Sequence, residues 1–85
     1  FRKQGNACIK KGDLDKALSF YEQALDADEN DHTSIFNIGE IFFRKGDIVT
    51  AMGYCALAVQ RAPGSLIHRQ RFIRLVDGVV SHKHN

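Results

Sequence analysis

The spacing of apolar residues predicts helices along most of this chain. Between Leu14 and Ala27 the apolar residues recur at steps of three and four, which places them on one face of a helix. No segment alternates convincingly between apolar and polar residues, so we do not expect strands. We therefore predict an all-α chain with five helices: Phe1 to Lys11, Leu14 to Ala27, His32 to Lys45, Ile48 to Arg61 and Leu66 to about Ser81.

The same pattern occurs twice, with a period of 34 residues. The segment Lys11–Ala17 returns as Lys45–Ala51, and a period of this length is typical of helical repeats. Each period is therefore expected to form one unit of two helices. At the same period Gly5 corresponds to Gly39 and Ala24 to Ala58, while Tyr21 falls at the position of Cys55.

Two Gly-Asp pairs predict where the first helix of each unit ends and the second begins. Gly12 and Gly46 stand where the end of a helix favours a left-handed residue. Asp13 and Asp47 follow as N-caps, because a carboxylate there accepts hydrogen bonds from the free amides of the next helix.

Gly5 and Gly39 lie inside predicted helices, where a glycine costs about 1 kcal/mol relative to alanine. We expect a close approach between the two helices of each unit to offset that cost. The expected partners are alanines of the second helix, Ala17 and Ala24 for Gly5, and Ala51 and Ala58 for Gly39.

These residues resemble the pattern of the tetratricopeptide repeat family, with Pro63 at the position where the family has a proline near the end of a repeat. The resemblance covers residues 1 to about 64 and, more loosely, the helix after Pro63. It implies a single domain of antiparallel helix pairs in an α-solenoid, with repeats at 1–31 and 32–64, a capping helix at 65–81 and a tail at 82–85. Because Phe1 already lies inside the pattern of the first repeat, we expect the chain to be part of a longer protein. It departs from the family pattern at Phe1, Glu29, Ile35 and Cys55.

The resemblance also implies that the first helix of each pair lines a concave groove that binds a peptide or partner segment. Five of the candidate binding residues in this groove are basic, and Glu40 alone is acidic. We therefore expect a protein or peptide partner, with acidic or C-terminal carboxylate groups favoured. The candidates are Arg2, Asn6, Lys10, Phe36, Asn37, Glu40, Arg44, Arg71 and Arg74.

Part of this set is similar to the carboxylate clamp of co-chaperones that hold the C-terminal Glu-Glu-Val-Asp of heat-shock chaperones. Asn6, Asn37 and Arg71 match the clamp. Arg2 replaces one lysine of the clamp, and Ile67 removes the other. Losing a hydrogen bond to a charged group costs about 1.5–3 kcal/mol, so the resemblance implies a weakened clamp.

Two further interpretations are open. The run from Pro63 to Phe72 looks similar to helix starts in bacterial repeat arms that are attached to enzymes or secretion components, where the role is structural or docking. Nucleic-acid binding would use the basic last third, where Arg61, Arg69, Arg71, Arg74 and Lys83 face one acid, Asp77, a net charge of +4. The whole chain carries only +2 and no aromatic residues stand among these cations, so we do not expect it.

The sequence gives no reason to expect catalysis, a cofactor or a metal. Its serines lack a nucleophile motif, and no phosphate-binding loop is present. His82 and His84 stand in a polar tail, and we expect His32 and His68 to be solvated. Cys8 and Cys55 lack metal-site spacing and are expected to be buried free thiols, which indicates a reducing compartment. With no run of about 20 apolar residues, we expect a cytoplasmic protein without a membrane partner.

The last helix carries more apolar residues than the preceding helix pair can cover. We expect an exposed apolar strip around Leu75, Val79 and Val80, covered by a missing segment or by another copy of the chain. Homo-oligomers formed through this helix would follow from that strip.

Overall fold

A computed structural model describes the backbone of residues 1–83 and the side chains of residues 1–77. Over residues 1–83 it contains five helices and no strand, which confirms the predicted all-α fold. The helices are α1 (Arg2–Lys10), α2 (Leu14–Ala27), α3 (His32–Arg44), α4 (Ile48–Arg61) and α5 (Leu66–Lys83).

The Gly-Asp pairs end and begin helices as predicted. Gly12 and Gly46 have φ angles of 81° and 87°, in the left-handed region where glycine is favoured. The side chain of Asp13 accepts a hydrogen bond from the amide of Lys16 at 3.2 Å. Asp47 accepts from the amide of Thr50 at the same distance, so both aspartates are N-caps.

Consecutive helices pack against each other along the chain, with the most extensive contact between α3 and α4. The hydrophobic core lies where α2 meets α3. There Ala17 and Tyr21 contact Ile38 and Ile41, and all four side chains are almost completely buried. Further buried residues, among them Ile35, Ala51, Cys55 and Ala58, extend this core along α3 and α4.

Gly5 and Gly39 do lie at close helix approaches, but the nearest neighbours of Gly5 are not the predicted alanines, and those of Gly39 include only one of them, Ala51. A Cβ atom added to Gly5 would lie 2.7 Å from the ring of Tyr21. One added to Gly39 would lie 2.9 Å from the sulfur of Cys55 and 3.3 Å from the carbonyl oxygen of Ala51. The residue facing each glycine therefore stands one helical turn away from both predicted alanines, since a helix turns once in about 3.6 residues.

The apolar strip predicted on α5 is not confirmed. Leu75 is buried, with 5% of its surface exposed, because α5 packs against α4. Val79 and Val80 lie outside the side chains that the structure describes. Among the described side chains of α5, the exposed large apolar residues are Leu66, Ile67 and Ile73.

No helix in the described part of the chain combines the length and the apolar character that crossing a membrane requires. Both cysteines are free, as predicted, although Cys8 is only half-buried while Cys55 is fully buried.

Candidate functional site

The candidate binding residues lie on α1, α3 and α5. On α1, Arg2, Asn6 and Lys10 are spaced at four-residue steps and share one face. Phe36, Glu40 and Arg44 have the same spacing on α3, with Asn37 next to Phe36. On α5, Arg71 and Arg74 are one turn apart.

Side-chain contacts bring these three helices together on one side of the molecule. Arg2 Nε lies 3.5 Å from a carboxylate oxygen of Asp31, the residue that caps the start of α3. Arg71 Nε of α5 lies 2.6 Å from a carboxylate oxygen of Glu40 on α3. Two of the five predicted groove cations are therefore already paired with carboxylates of the chain itself.

The remaining cations of the candidate set are exposed. Lys10, Arg44 and Arg74 take part in none of the ion pairs formed among the described side chains. A shallow pocket of about 110 Å³ lies beside Arg74 and is lined by Ile67, Gln70 and Arg71. It is smaller than the usual 300–1,000 Å³ of a small-molecule site, so its size suits one side chain of a larger ligand.

Asn6 is fixed by a buried tyrosine. The hydroxyl of Tyr21 donates a hydrogen bond to Oδ1 of Asn6. Asn6 is exposed, and its Nδ2 amide group is able to donate hydrogen bonds to an acceptor. Burial, with a smaller contribution from Cys8, raises the pKa of Tyr21, so this hydroxyl stays a donor at neutral pH.

Phe36 makes a contact that was not predicted from the sequence. Its ring stacks on the imidazole of His68, with ring centroids 4.6 Å apart and planes 24° apart. His68 also lies 2.9 Å from His32, measured between Nε2 and Nδ1. The expectation that both histidines are solvated is wrong for His68, which is 6% exposed because α3 and α5 enclose it. The pKa of His68 is lowered, first by burial and then by the nearby His32.

Sequence reasoning also missed Asp31. Its carboxylate accepts from the amide of Ser34 at 3.3 Å and from the hydroxyl of Ser34 at 2.8 Å, and it pairs with Arg2. The signal was present, because Asp31 immediately precedes α3 just as Asp13 and Asp47 precede α2 and α4. For His68 the sequence offers no comparable signal, since its contact joins helices that are two elements apart.

The described side chains, residues 1–77, contain no group of three or more metal-ligating residues. His82 and His84 lie outside them. The site thus offers charged and hydrogen-bonding side chains on three helices, α1, α3 and α5.

Comparison with protein families gives a match for the segment that runs from Gly5 in α1 to just past the end of α3. A family model described as a TPR repeat, the tetratricopeptide repeat, matches residues 5–46. The matched segment includes Gly5, Gly39, the Gly12-Asp13 turn and Gly46.

Proposed function

From the premise that residues 5–46 match the tetratricopeptide repeat family, whose repeats generally mediate protein–protein interactions, we propose that this chain is a protein-binding module without catalytic activity of its own. The partner is a peptide segment that lies along the side formed by α1, α3 and α5. One observation carries this proposal: each of these three helices presents an exposed cation, Lys10, Arg44 or Arg74, that no acidic side chain of the described chain neutralises.

This distribution of charge favours an acidic peptide. Three unpaired cations on neighbouring helices attract carboxylates and accelerate encounter at low ionic strength. Because these side chains are exposed, each ion pair would contribute about 0.2–1 kcal/mol and would be weakened by salt. Phe36, half-buried between α3 and α5, offers an apolar contact between the charged positions.

A finer version of the proposal is that the partner ends in an acidic C-terminus, such as the tail of a heat-shock chaperone. Arg2 and Arg71 use Nε for their pairs with Asp31 and Glu40, which leaves the outer guanidinium nitrogens available to a terminal carboxylate. The amide group of Asn6 supplies a further donor. The carboxylate clamp of the co-chaperones has a lysine at the position of Ile67, and an isoleucine cannot supply that charge.

Titration calorimetry with acidic peptides tests the module, and each peptide is supplied with a free or an amidated C-terminus. We expect dissociation constants around micromolar, about 8 kcal/mol, that weaken as salt rises. Arg44→Gln and Arg74→Gln should each weaken binding by up to about fivefold. Lys16→Gln is the matched control, because it removes the same charge from an exposed position on α2.

Different outcomes reject the binding of acidic peptides in the groove and the recognition of a terminal carboxylate. Equal binding of free and amidated peptides, or unchanged binding after Arg71→Ala, rejects the terminal carboxylate and leaves the acidic groove intact. If Lys16→Gln weakens binding as much as the groove variants, only the net charge matters and the groove itself is rejected.

A second candidate function, docking of α5 onto a second copy of the chain, is favoured by one observation. Ile73 is 55% exposed in the middle of α5, where a further helix of a stacked repeat would pack. Sedimentation at rising concentration should show a dimer that Ile73→Ser weakens. Val49→Ser on α4, where the valine is 83% exposed, should change nothing. A monomer at high micromolar concentration excludes this function.

A further inference from the structure

Two histidines join α3 to α5 through a direct contact between their rings. His32 is the first residue of α3, and its Nδ1 lies 2.9 Å from Nε2 of His68 on α5. The rings meet edge to face, with centroids 5.1 Å apart and planes at 68°. The other face of His68 is covered by Phe36, and only 6% of the residue is exposed.

The contact requires a definite number of protons. A neutral imidazole has one N–H donor and one acceptor nitrogen, so a hydrogen bond of this length needs one proton between the two facing nitrogens. Either His32 donates to His68 or His68 donates to His32. In both cases Nδ1 of His68 is buried without a hydrogen-bond partner.

Adding protons until both rings are cations is incompatible with this geometry. Both facing nitrogens would then carry a hydrogen, and two positive charges would lie across a gap that holds only one proton. The buried Nδ1–H of His68 would also lack an acceptor, which is costly for a buried charged group. The two rings would have to separate, which removes one of the side-chain contacts that hold α5 to α3.

We propose that the His32–His68 pair is an acid-sensitive latch that holds α5 against α3 while at least one ring is neutral and releases it when both rings are protonated. This latch does not depend on which partner the groove binds. It does act on the groove, because Phe36, Glu40 and Arg71 lie on the same two helices and make the contacts between them.

The nearby carboxylates on the surrounding helices do not neutralise the positive charge that the second proton adds to the histidine pair, because they are already paired. Asp31 is held by Ser34 and Arg2, and Glu40 by Arg71. Of the groups around it, His32 is the one whose charge acts on His68. The remaining titratable or charged side chains described on these helices are Arg44 on α3, Tyr54, Cys55 and Arg61 on α4, and Arg69, Arg74 and Asp77 on α5.

The direction of the pH dependence follows from burial. Because the pKa of His68 is lower in the folded chain than in an exposed imidazole, the released state binds the proton more readily. Docking of α5 is therefore strongest above the ordinary imidazole pKa of about 6.5 and weakens as the pH falls below it. The window from about pH 7.5 to 5.5 lies above the ordinary carboxyl values of about 4, so carboxylate protonation does not confuse the result.

Nuclear magnetic resonance of the whole chain, in buffer with a chelator, tests the latch. The four histidine signals are assigned with single His→Gln variants and titrated, while amide exchange is followed at about pH 7.5 and 5.5. We expect the His68 signal to change between the two pH values together with the loss of α5 protection. The protection factors of α5 amides should fall by about tenfold or more, whereas those of α2 should change little.

Three variants separate the latch from other effects of acid. His68→Phe keeps a ring against Phe36 but cannot be protonated, and His32→Gln keeps a hydrogen-bonding group beside His68 without titrating. Both variants should reduce the change in α5 protection between the two pH values. If His68→Phe does not fold, His32→Gln alone serves as the test of the latch. A chain carrying His82→Gln and His84→Gln should respond like the parent. The latch is rejected if α5 protection is equal at both pH values, or if both pair variants respond to pH as strongly as the parent.

Discussion

At the scale of single residues, one absent methyl group controls how closely the helices of each pair approach. Gly39 lies against the sulfur of Cys55, the carbonyl of Ala51 and the Cβ of Tyr54, all within 3.3 Å of where a Cβ would stand. None of these neighbours is the free end of a flexible chain, because Cys55 is buried and the other two atoms belong to or adjoin the backbone. The glycine is therefore required by packing and not by its own backbone angles.

The corresponding prediction compares two glycines inside helices. Gly39→Ala should lower the free energy of unfolding by about 1–3 kcal/mol, because overpacking outweighs the gain in helix propensity. Gly53→Ala is the control, since Gly53 lies within α4 with no atom inside 4 Å of its Cβ position, and it should stabilise the chain by up to about 1 kcal/mol. Urea unfolding measures both, and equal effects of the same sign would show that packing does not decide the result.

The two cysteines differ in their surroundings, and this difference predicts their reactivity. Burial, with a smaller contribution from Glu40, raises the pKa of Cys55 to about 11, although Arg71 acts in the opposite direction. Since the thiolate is the reactive form, Cys55 should react with a thiol reagent at pH 8 only when the structure opens. Half-buried Cys8 should react first. In Cys8→Ser the native chain should show almost no fast-reacting thiol; a fast reaction there would mean that Cys55 is accessible.

At the scale of helices, the three aspartate caps look alike in sequence but differ in the number of groups they hold. Asp13 and Asp47 each accept one amide hydrogen bond at an exposed helix start. Asp31 in addition accepts from the hydroxyl of Ser34, a fully buried residue, and pairs with Arg2 of α1. Removing its carboxylate leaves a buried hydroxyl without its acceptor, which costs more than the loss of a cap.

We therefore expect Asp31→Ala to lower the free energy of unfolding by about 2–4 kcal/mol, from the cap and the orphaned hydroxyl together. Asp47→Ala should cost about 1 kcal/mol, because it removes the cap alone. Asp31→Asn should fall between them, since an amide oxygen still caps the helix. Thermal and urea unfolding of the three variants provide the comparison, and equal costs for Asp31→Ala and Asp47→Ala would contradict the role of Ser34.

The helices were largely predictable because their ends depend on residues close in sequence. α2 and α4 begin and end where predicted, after Gly-Asp pairs whose conformational preferences are local. The pairing of the groove residues was not predictable in this way. Whether Arg71 meets Glu40, or His68 meets His32, depends on how two helices that are distant in sequence lie against each other. The sequence pattern placed these residues on helices that the structure contains, α1, α3 and α5, but it could not state which of them neutralise one another.

At the scale of the whole molecule, stability should be unevenly distributed along the stack. Each helix packs mainly on its neighbours in the chain, so the outer helices have fewer partners than the inner ones. α3 contributes five buried residues and shares the most extensive contact with α4. α1 contributes one, Gly5, and its Arg2 and Asn6 side chains are exposed. Local unfolding should therefore begin at the ends of the stack.

Amide exchange measured at about pH 7.5, where the histidine latch is closed, tests this gradient without any substitution. We expect the protection factors of α3 and α4 to exceed those of α1 by about tenfold or more, which corresponds to about 1.4 kcal/mol. Gly39→Ala should lower the protection factors of α3 and α4, because it disrupts the packing between these two helices. Their protection factors should then approach those of α1. Gly53→Ala again serves as the control and should preserve the gradient. If α1 exchanges as slowly as α3 in the parent chain, the molecule unfolds as one cooperative unit. The idea that each helix is stabilised mainly by its neighbours in the chain is then wrong.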